Sequence, residues 1–314
     1  MGESAWPAEW FEEHRTHLRA VAYRMLGSVS EAEDAVQETW LRADRAGTDG
    51  VGNPAGWLTT IVTRVCLNML RTRKARREEP LDLRVADAPV PPEDGGDPEE
   101  EAALADSVGV AMLVVLDTLS PAERLAFVLH DMFAVPFDEI GPMLEKTPAA
   151  VRQLASRARR RVKGVSPLPD SDLTRRRRVV EAFLAATRGG NFDALVALLH
   201  PDVVLHADAS VIPTPGPVVV SGAVTVAEGA MAATGRARFT GVALLDGTVG
   251  LAMAPFGRLA LVLAFDFADD GRVTAIRVIA DPDRLREVEV AVPQDPAHPE
   301  DPAARENTSW PGRS

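Results

Sequence analysis

The stretch LSPAERLAFVLHDMFAVPFDEIGPMLEKTPAAVRQLASRARRRV, residues 119–162, decides how the chain is read. Ser120 precedes Pro121, a capping residue followed by the imino acid that suits the first helical position. A second short helix fits Phe137 to Leu144. A turn at Glu145-Lys146 follows, then Thr147 as N-cap and Pro148 opening a third helix. In that helix Val151, Leu154, Ala155, Ala158 and Val162 recur on one side, and Arg152, Gln153, Ser156, Arg157, Arg159 and Arg160 take the rest. A short helix, a tight turn and a helix polar from its first turn make helix-turn-helix geometry. Arg152, Gln153, Ser156 and Arg157 are placed to reach major-groove base edges, where Arg and Gln bond guanine or adenine in bidentate fashion. Arg159, Arg160, Arg161 and Lys163 come later and suit phosphates, which give affinity without sequence information. The plainer reading of the same residues is the solvated basic face of a bundle helix.

The overall charge speaks against nucleic acid at first sight, because the 314 residues carry a formal net charge of -12. That charge is unevenly spread. From Glu78 to Asp106 there are eleven acids against one base, Arg84. RTRKARR, residues 71–77, lies just before this acidic run, and the basic helix lies after it. The length suggests two or three domains. A single cysteine, Cys66, excludes an intrachain disulfide framework and fits a reducing compartment. No apolar run reads as a signal peptide or a membrane span, and GVAMLVVLDTL fits a buried helix better. The expectation is a soluble, cytoplasmic protein with no membrane partner.

Upstream, residues 10–77 read as helical. SEAEDAVQETWLRADR has Ser30 with Glu33 three residues on, a capping-box pattern, and Ala32, Ala35, Val36, Thr39 and Trp40 as a buried stripe. Its outer face carries Asp34, Gln37, Glu38 and Leu41, an exposed leucine among acidic and amide groups that suits a protein partner. Asn53 and Pro54 restart a helix whose core stripe is Trp57, Leu58, Ile61, Val62, Val65 and Met69. The other side offers Thr60, Thr63, Arg64, Leu67, Asn68 and Arg71 to a nucleic-acid strand. A cation cluster favoured by the helix dipole accounts for the terminal arginines without any ligand. Residues 78–104, Pro- and acid-rich, read as a flexible linker.

After SPLPDSD the texture changes to two helices, then β-branched alternating runs such as PVVVSG and GRLALVLAFDF. Strands after helices predict a separate α+β domain with an antiparallel sheet, and the Pro-rich end from residue 291 reads as a disordered tail. His206 and Asp208, two apart on a strand, could share one side and face a cavity, where they could move protons. Polar residues at a strand end are the plainer alternative. No metal-ligand spacing, phosphate-binding loop or nucleophile elbow appears, so no metal or cofactor is expected.

Taken together, SEAEDAVQETWLRA, NPAGWLTTIVTRVCLNMLRTRKAR and the 119–162 stretch resemble the extracytoplasmic-function group of bacterial sigma factors, over roughly residues 10–163. The resemblance implies an all-α region 2 over 8–77, the linker, and a region 4 helix-turn-helix over 105–164. It further implies that Asp34, Gln37, Glu38 and Leu41 contact RNA polymerase core at the β′ clamp. Thr60, Arg64, Asn68 and Arg71 would then engage the −10 strand, while Arg152, Gln153, Ser156, Arg157, Arg159 and Arg160 would sit on −35 promoter DNA. Region 4 would meet the β flap. Residues 172–290 resemble SnoaL-like domains of the NTF2-like cone fold, in which helices cover a curved sheet around a pocket. In a subset of the sigma group such an appended domain regulates the sigma core, which implies regulation here and an unknown small ligand in its pocket. Two other functions compete: a ligand-sensing helix-turn-helix regulator, and a SnoaL-type enzyme with a DNA-binding N-terminal part.

Overall fold

A computed structural model describes residues 8–47, 51–78, 103, 108–211 and 216–293, without the side chains of residues 74–78. Most of the linker and tail expectations therefore lie outside the described residues. Among these residues the chain forms two compact units. The first joins the residues up to 78 with 116–160, so the two expected sigma-like segments make one body; the second takes 108–115 and 161–293.

The first unit opens with α1 (Ala8–Leu26), α2 (Val29–Ala46) and α3 (Pro54–Glu78), which pack against one another. Leu18, Val21 and Met25 of α1, Val36 of α2 and Leu58 and Val62 of α3 are closed to solvent between these packed helices. The cap of α2 is Ser28 rather than Ser30: Ser28 is extended, and its hydroxyl accepts from the Glu31 amide at 3.5 Å. Glu33, expected in the cap, reaches out to Arg15 at 3.3 Å and Arg19 at 2.6 Å instead. Those contacts and Glu12 hold the Arg15 guanidinium above its usual pKa, Glu33 first. At α3 the expected cap is present, with Asn53 Oδ1 accepting from the Gly56 amide at 3.0 Å.

α4 (Val110–Thr118) runs from the second unit into the first, and α5 (Pro121–Phe127), a π-helical turn (Val128–Met132), α6 (Phe137–Leu144) and α7 (Pro148–Lys163) follow. α5 and α6 pack on α3. This contact corrects the expected faces of α3. Thr63 and Leu67 are buried rather than offered to solvent, whereas Trp57, Ile61 and Met69 of the expected stripe are only half-buried. A helix wedged between two partners buries two sides, and the sequence period of one stripe under-reports the second.

The second unit comprises α8 (Asp170–Arg188), α9 (Phe192–Leu198), β1 (Leu199–Ala207), β2 (Val218–Ser221), α10 (Ala223–Ala232), α11 (Thr234–Ala237), β3 (Thr240–Leu245), β4 (Thr248–Met253), β5 (Leu261–Phe267), β6 (Val273–Ile279), α12 (Pro282–Glu287) and β7 (Val290–Ala291). The sheet order is β2-β1-β6-β5-β4-β3-β7. It is mixed, not antiparallel as expected, because β1 and β6 pair in parallel. The chain leaves β1, forms β2 and the β3–β5 meander, and returns beside β1 in the same direction, the long excursion a parallel pair requires. β3 and β4 turn at Asp246 and Gly247, both with positive φ, the primed two-residue hairpin. β7 pairs with β3, so ordered structure reaches Ala291, one residue into the expected tail. α8 and α10 cover the sheet, and a cavity of about 210 Å³ opens between them and the strands. Helices covering a sheet around a pocket are the arrangement that the cone fold implies.

Candidate nucleic-acid interface

The helix-turn-helix is built from local chemistry. Ser120 and Glu123 form a reciprocal capping box: the Glu123 amide donates to Ser120 Oγ at 3.4 Å, and the Ser120 amide donates to Glu123 Oε2 at 3.2 Å. α6 ends on Glu145 in the left-handed region (φ 55°, ψ 43°), and the Lys146 amide folds back to Gly141 O at 3.0 Å. Gly141 has to be glycine here, since a Cβ would stand 2.8 Å from Lys146 O. Thr147 caps α7 as expected, with the Ala150 amide donating to its Oγ1 at 3.3 Å.

On α7, Val151, Leu154, Ala155, Ala158 and Val162 are buried, and Arg152, Gln153, Ser156, Arg157 and Arg160 are exposed. Two arginines of the expected −35 set are anchored within the unit, Arg157 from the base-reading group and Arg159 from the phosphate-binding one. Arg157 Nε donates to Glu123 Oε1 at 2.9 Å, and Arg159 Nε donates to Asp131 Oδ1 at 2.6 Å. Glu123 thus caps α5 and anchors α7 at once. Arg152 lies over the Phe137 ring at 5.3 Å from its centroid, and Gln153, Ser156 and Arg160 stand exposed on the outer surface.

α3 presents Arg64, Asn68 and Arg71 to solvent, with Thr60 half-buried and its hydroxyl donating to Gly56 O at 2.9 Å. Thr72 joins them one residue beyond Arg71; i, i+4 spacing from Asn68 was the signal for it. Arg73, from the same basic run, turns inward. It donates to Leu26 O at 3.3 Å, pairs with Glu31, and approaches Asp117 at 3.8 Å. Beside it Arg124 is 2% exposed, its Nε donating to Arg24 O at 3.2 Å and its Nη1 lying 3.8 Å from Asp117 Oδ1. Burial, more than the neighbouring Arg73, lowers the Arg124 pKa to about 10, so it remains a cation at neutral pH. Nothing in spacing marked Arg124 as an interior residue. Cys66 is buried in α3, and burial pushes its thiol up to about 12.

On α2, Asp34, Gln37 and Leu41 are exposed, Leu41 at 40%, while Glu38 accepts from Arg42 Nε at 2.7 Å. Gln37 borders a shallow groove floored by Phe11 and Trp40, whose rings meet edge-on at 5.0 Å. The sequence expectation for the second unit's cavity is corrected. Leu205 and Ala207 of β1 face the cavity, so His206 points to the opposite side and is exposed. Asp208 lies past the strand end, where its carboxylate accepts from the Ala280 and Asp281 amides at 3.2 and 3.3 Å and pairs with Arg284. Neither residue lines the cavity.

The fold and these faces define a class: a helical body with a helix-turn-helix, a second basic helix and a helix with an exposed acidic and apolar face, joined to a cavity-bearing α+β unit. Sigma-70 region 2 matches residues 10–76, and Sigma-70, region 4 matches residues 110–162. The ECF RNA polymerase sigma factor SigJ of Mycobacterium tuberculosis (strain ATCC 25618 / H37Rv) is 43% identical over 201 residues, 64% of this chain and 64% of SigJ. The probable ECF RNA polymerase sigma factor SigI of Mycobacterium tuberculosis (strain CDC 1551 / Oshkosh) is 35% identical over 209 residues, 66% of this chain and 69% of SigI. The crystal structure of Mycobacterium tuberculosis SigJ shares 34% identity, covering 89% of this chain and 98% of that one, with a TM-score of 0.41. The chain belongs to the ECF group of RNA polymerase sigma factors.

Proposed function

We propose that the chain binds RNA polymerase core and directs transcription to start at particular promoters. The observation that carries this reading is α7. Its apolar side is sealed into the helix-turn-helix, and Arg152, Gln153, Ser156 and Arg160 stand exposed along the other side. Arg152, Gln153 and Ser156 enter the −35 major groove, Arg157 is oriented by Glu123, and Arg159 and Arg160 track the flanking phosphates. Thr60, Arg64, Asn68 and Arg71 engage the −10 strand. Asp34, Gln37, Glu38 and Leu41 dock on the polymerase β′ clamp, and the helix-turn-helix meets the β flap. The second unit regulates this sigma core. Binding energy does the work; no residue of the chain forms or breaks a bond.

Run-off transcription with core polymerase tests the proposal. Full-length protein should create new start sites, and a truncation ending at Gly164 should change their yield. Unchanged start sites would remove the sigma reading, and identical yields would remove the regulatory one. Arg152→Ala and Gln153→Ala should each weaken −35 binding by about 1–3 kcal/mol if they contact bases.

A further inference from the structure

The cavity of the second unit has a consistent chemistry. Phe183, Leu184, Leu205, Leu251, Leu263 and Ile276 are among its walls. At about 210 Å³ it lies below the roughly 300–1,000 Å³ that drug-sized ligands occupy. Two of its three threonines are spent inside the fold: Thr187 Oγ1 donates to Phe183 O at 2.9 Å, and Thr240 Oγ1 donates to Arg236 O at 3.3 Å. Thr225, Gly229 and Arg236 are the exposed wall residues and mark the mouth.

Arg236 is the one charged side chain on that wall among the described residues. Its guanidinium has no hydrogen-bond or ion-pair partner there, whereas other arginines of the unit are engaged: Arg177 with Glu181, Arg272 with Asp270, Arg277 with Asp266 and Arg284 with Asp208. Among the described residues no carboxylate lines the cavity to attract a cation.

We infer that the cavity binds a small aliphatic carboxylate, its hydrocarbon tail between the helices and the sheet and its carboxylate on Arg236 at the mouth. The tail gains by leaving water, and the planar guanidinium fork matches a carboxylate in two parallel hydrogen bonds. Thr225 can donate a third from its hydroxyl. A single guanidinium balances one negative charge, which selects a monoanion over a dianionic phosphate ester.

Calorimetric titration of the full-length protein with octanoate, 1-octanol and octylammonium tests this without polymerase, so its failure leaves the promoter reading intact. Octanoate should bind most tightly. Arg236→Gln should weaken octanoate roughly tenfold, as expected for a charge-assisted hydrogen bond, and leave 1-octanol unchanged. Gly229→Leu should abolish binding of both, because a Cβ at Gly229 meets nothing within 4 Å and the larger side chain can enter the mouth. A melting temperature equal to the parent's establishes that either variant is folded. Octanoate binding no tighter than 1-octanol or octylammonium, or unaffected by Arg236→Gln, overturns the inference; so does no binding of octanoate at all.

Discussion

Arg124 is a cation placed where little water reaches it, and it holds through Asp117 and the carbonyl of Arg24. Such a charge persists only with its partners, since an unpaired buried ion costs several kcal/mol. His17 sits in the same body under a different rule. Its Nε2 lies 3.3 Å from Thr59 Oγ1, its ring meets Phe133 edge-on at 5.3 Å, and burial, followed by nearby His14, lowers its pKa below 6.5. A depressed base pKa means that the unfolded chain binds the proton more readily. The neutral ring therefore costs nothing above pH 6.5, and stability falls as the pH drops through that value. His17→Gln should flatten the loss of melting temperature between about pH 6.5 and pH 5. An unchanged slope would show that His17 does not set it. Neither residue could be assigned from the sequence, because burial of a single polar side chain leaves no periodic trace.

At the level of elements, the turn between α6 and α7 was legible in detail. Thr147, Pro148 and the apolar positions from Val151 to Val162 define this helix by capping and period alone, and the structure begins α7 at Pro148. The cap of α2 was misplaced by two residues, since Ser28 and Ser30 each have a glutamate three positions on. Only the tertiary pairing of Glu33 with Arg19 separates the two readings. The carboxylates that orient α7, Glu123 and Asp131, were invisible for the same reason, their partners lying 34 and 28 residues away. Gly141 gives the turn its tightest test. Gly141→Ala pushes a methyl group against Lys146 O, so α6 and α7 must separate or the turn must open. Urea denaturation should show a loss of about 1–3 kcal/mol, the usual range for overpacking. Promoter-duplex affinity should fall with it, because α7 loses its fixed approach angle.

In the whole molecule, the helices assigned to the two promoter elements share one compact unit. Elements centred near −10 and −35 are about 25 base pairs apart, roughly 85 Å of duplex at 3.4 Å per pair. On the proposed function, helices packed against each other could not serve both at once, and binding the promoter would require α3 and α5 to part. The 31 residues between Glu78 and Val110 span up to about 100 Å when extended, which is sufficient reach. On α3, Thr63 Oγ1 is buried without a hydrogen-bond partner among the described residues, a cost of about 1–3 kcal/mol that exposure of this side of α3 would relieve. Dyes can report the change, because Cys66 is buried with its thiol raised to about 12 and competes poorly for a thiol label. With Thr16→Cys and Lys146→Cys, both at exposed positions of the first unit, energy transfer should be high in the free protein. It should fall on adding core polymerase and promoter duplex together. Transfer that stays constant while transcription proceeds would mean that the packed form itself engages the promoter and that α3 and α5 do not part.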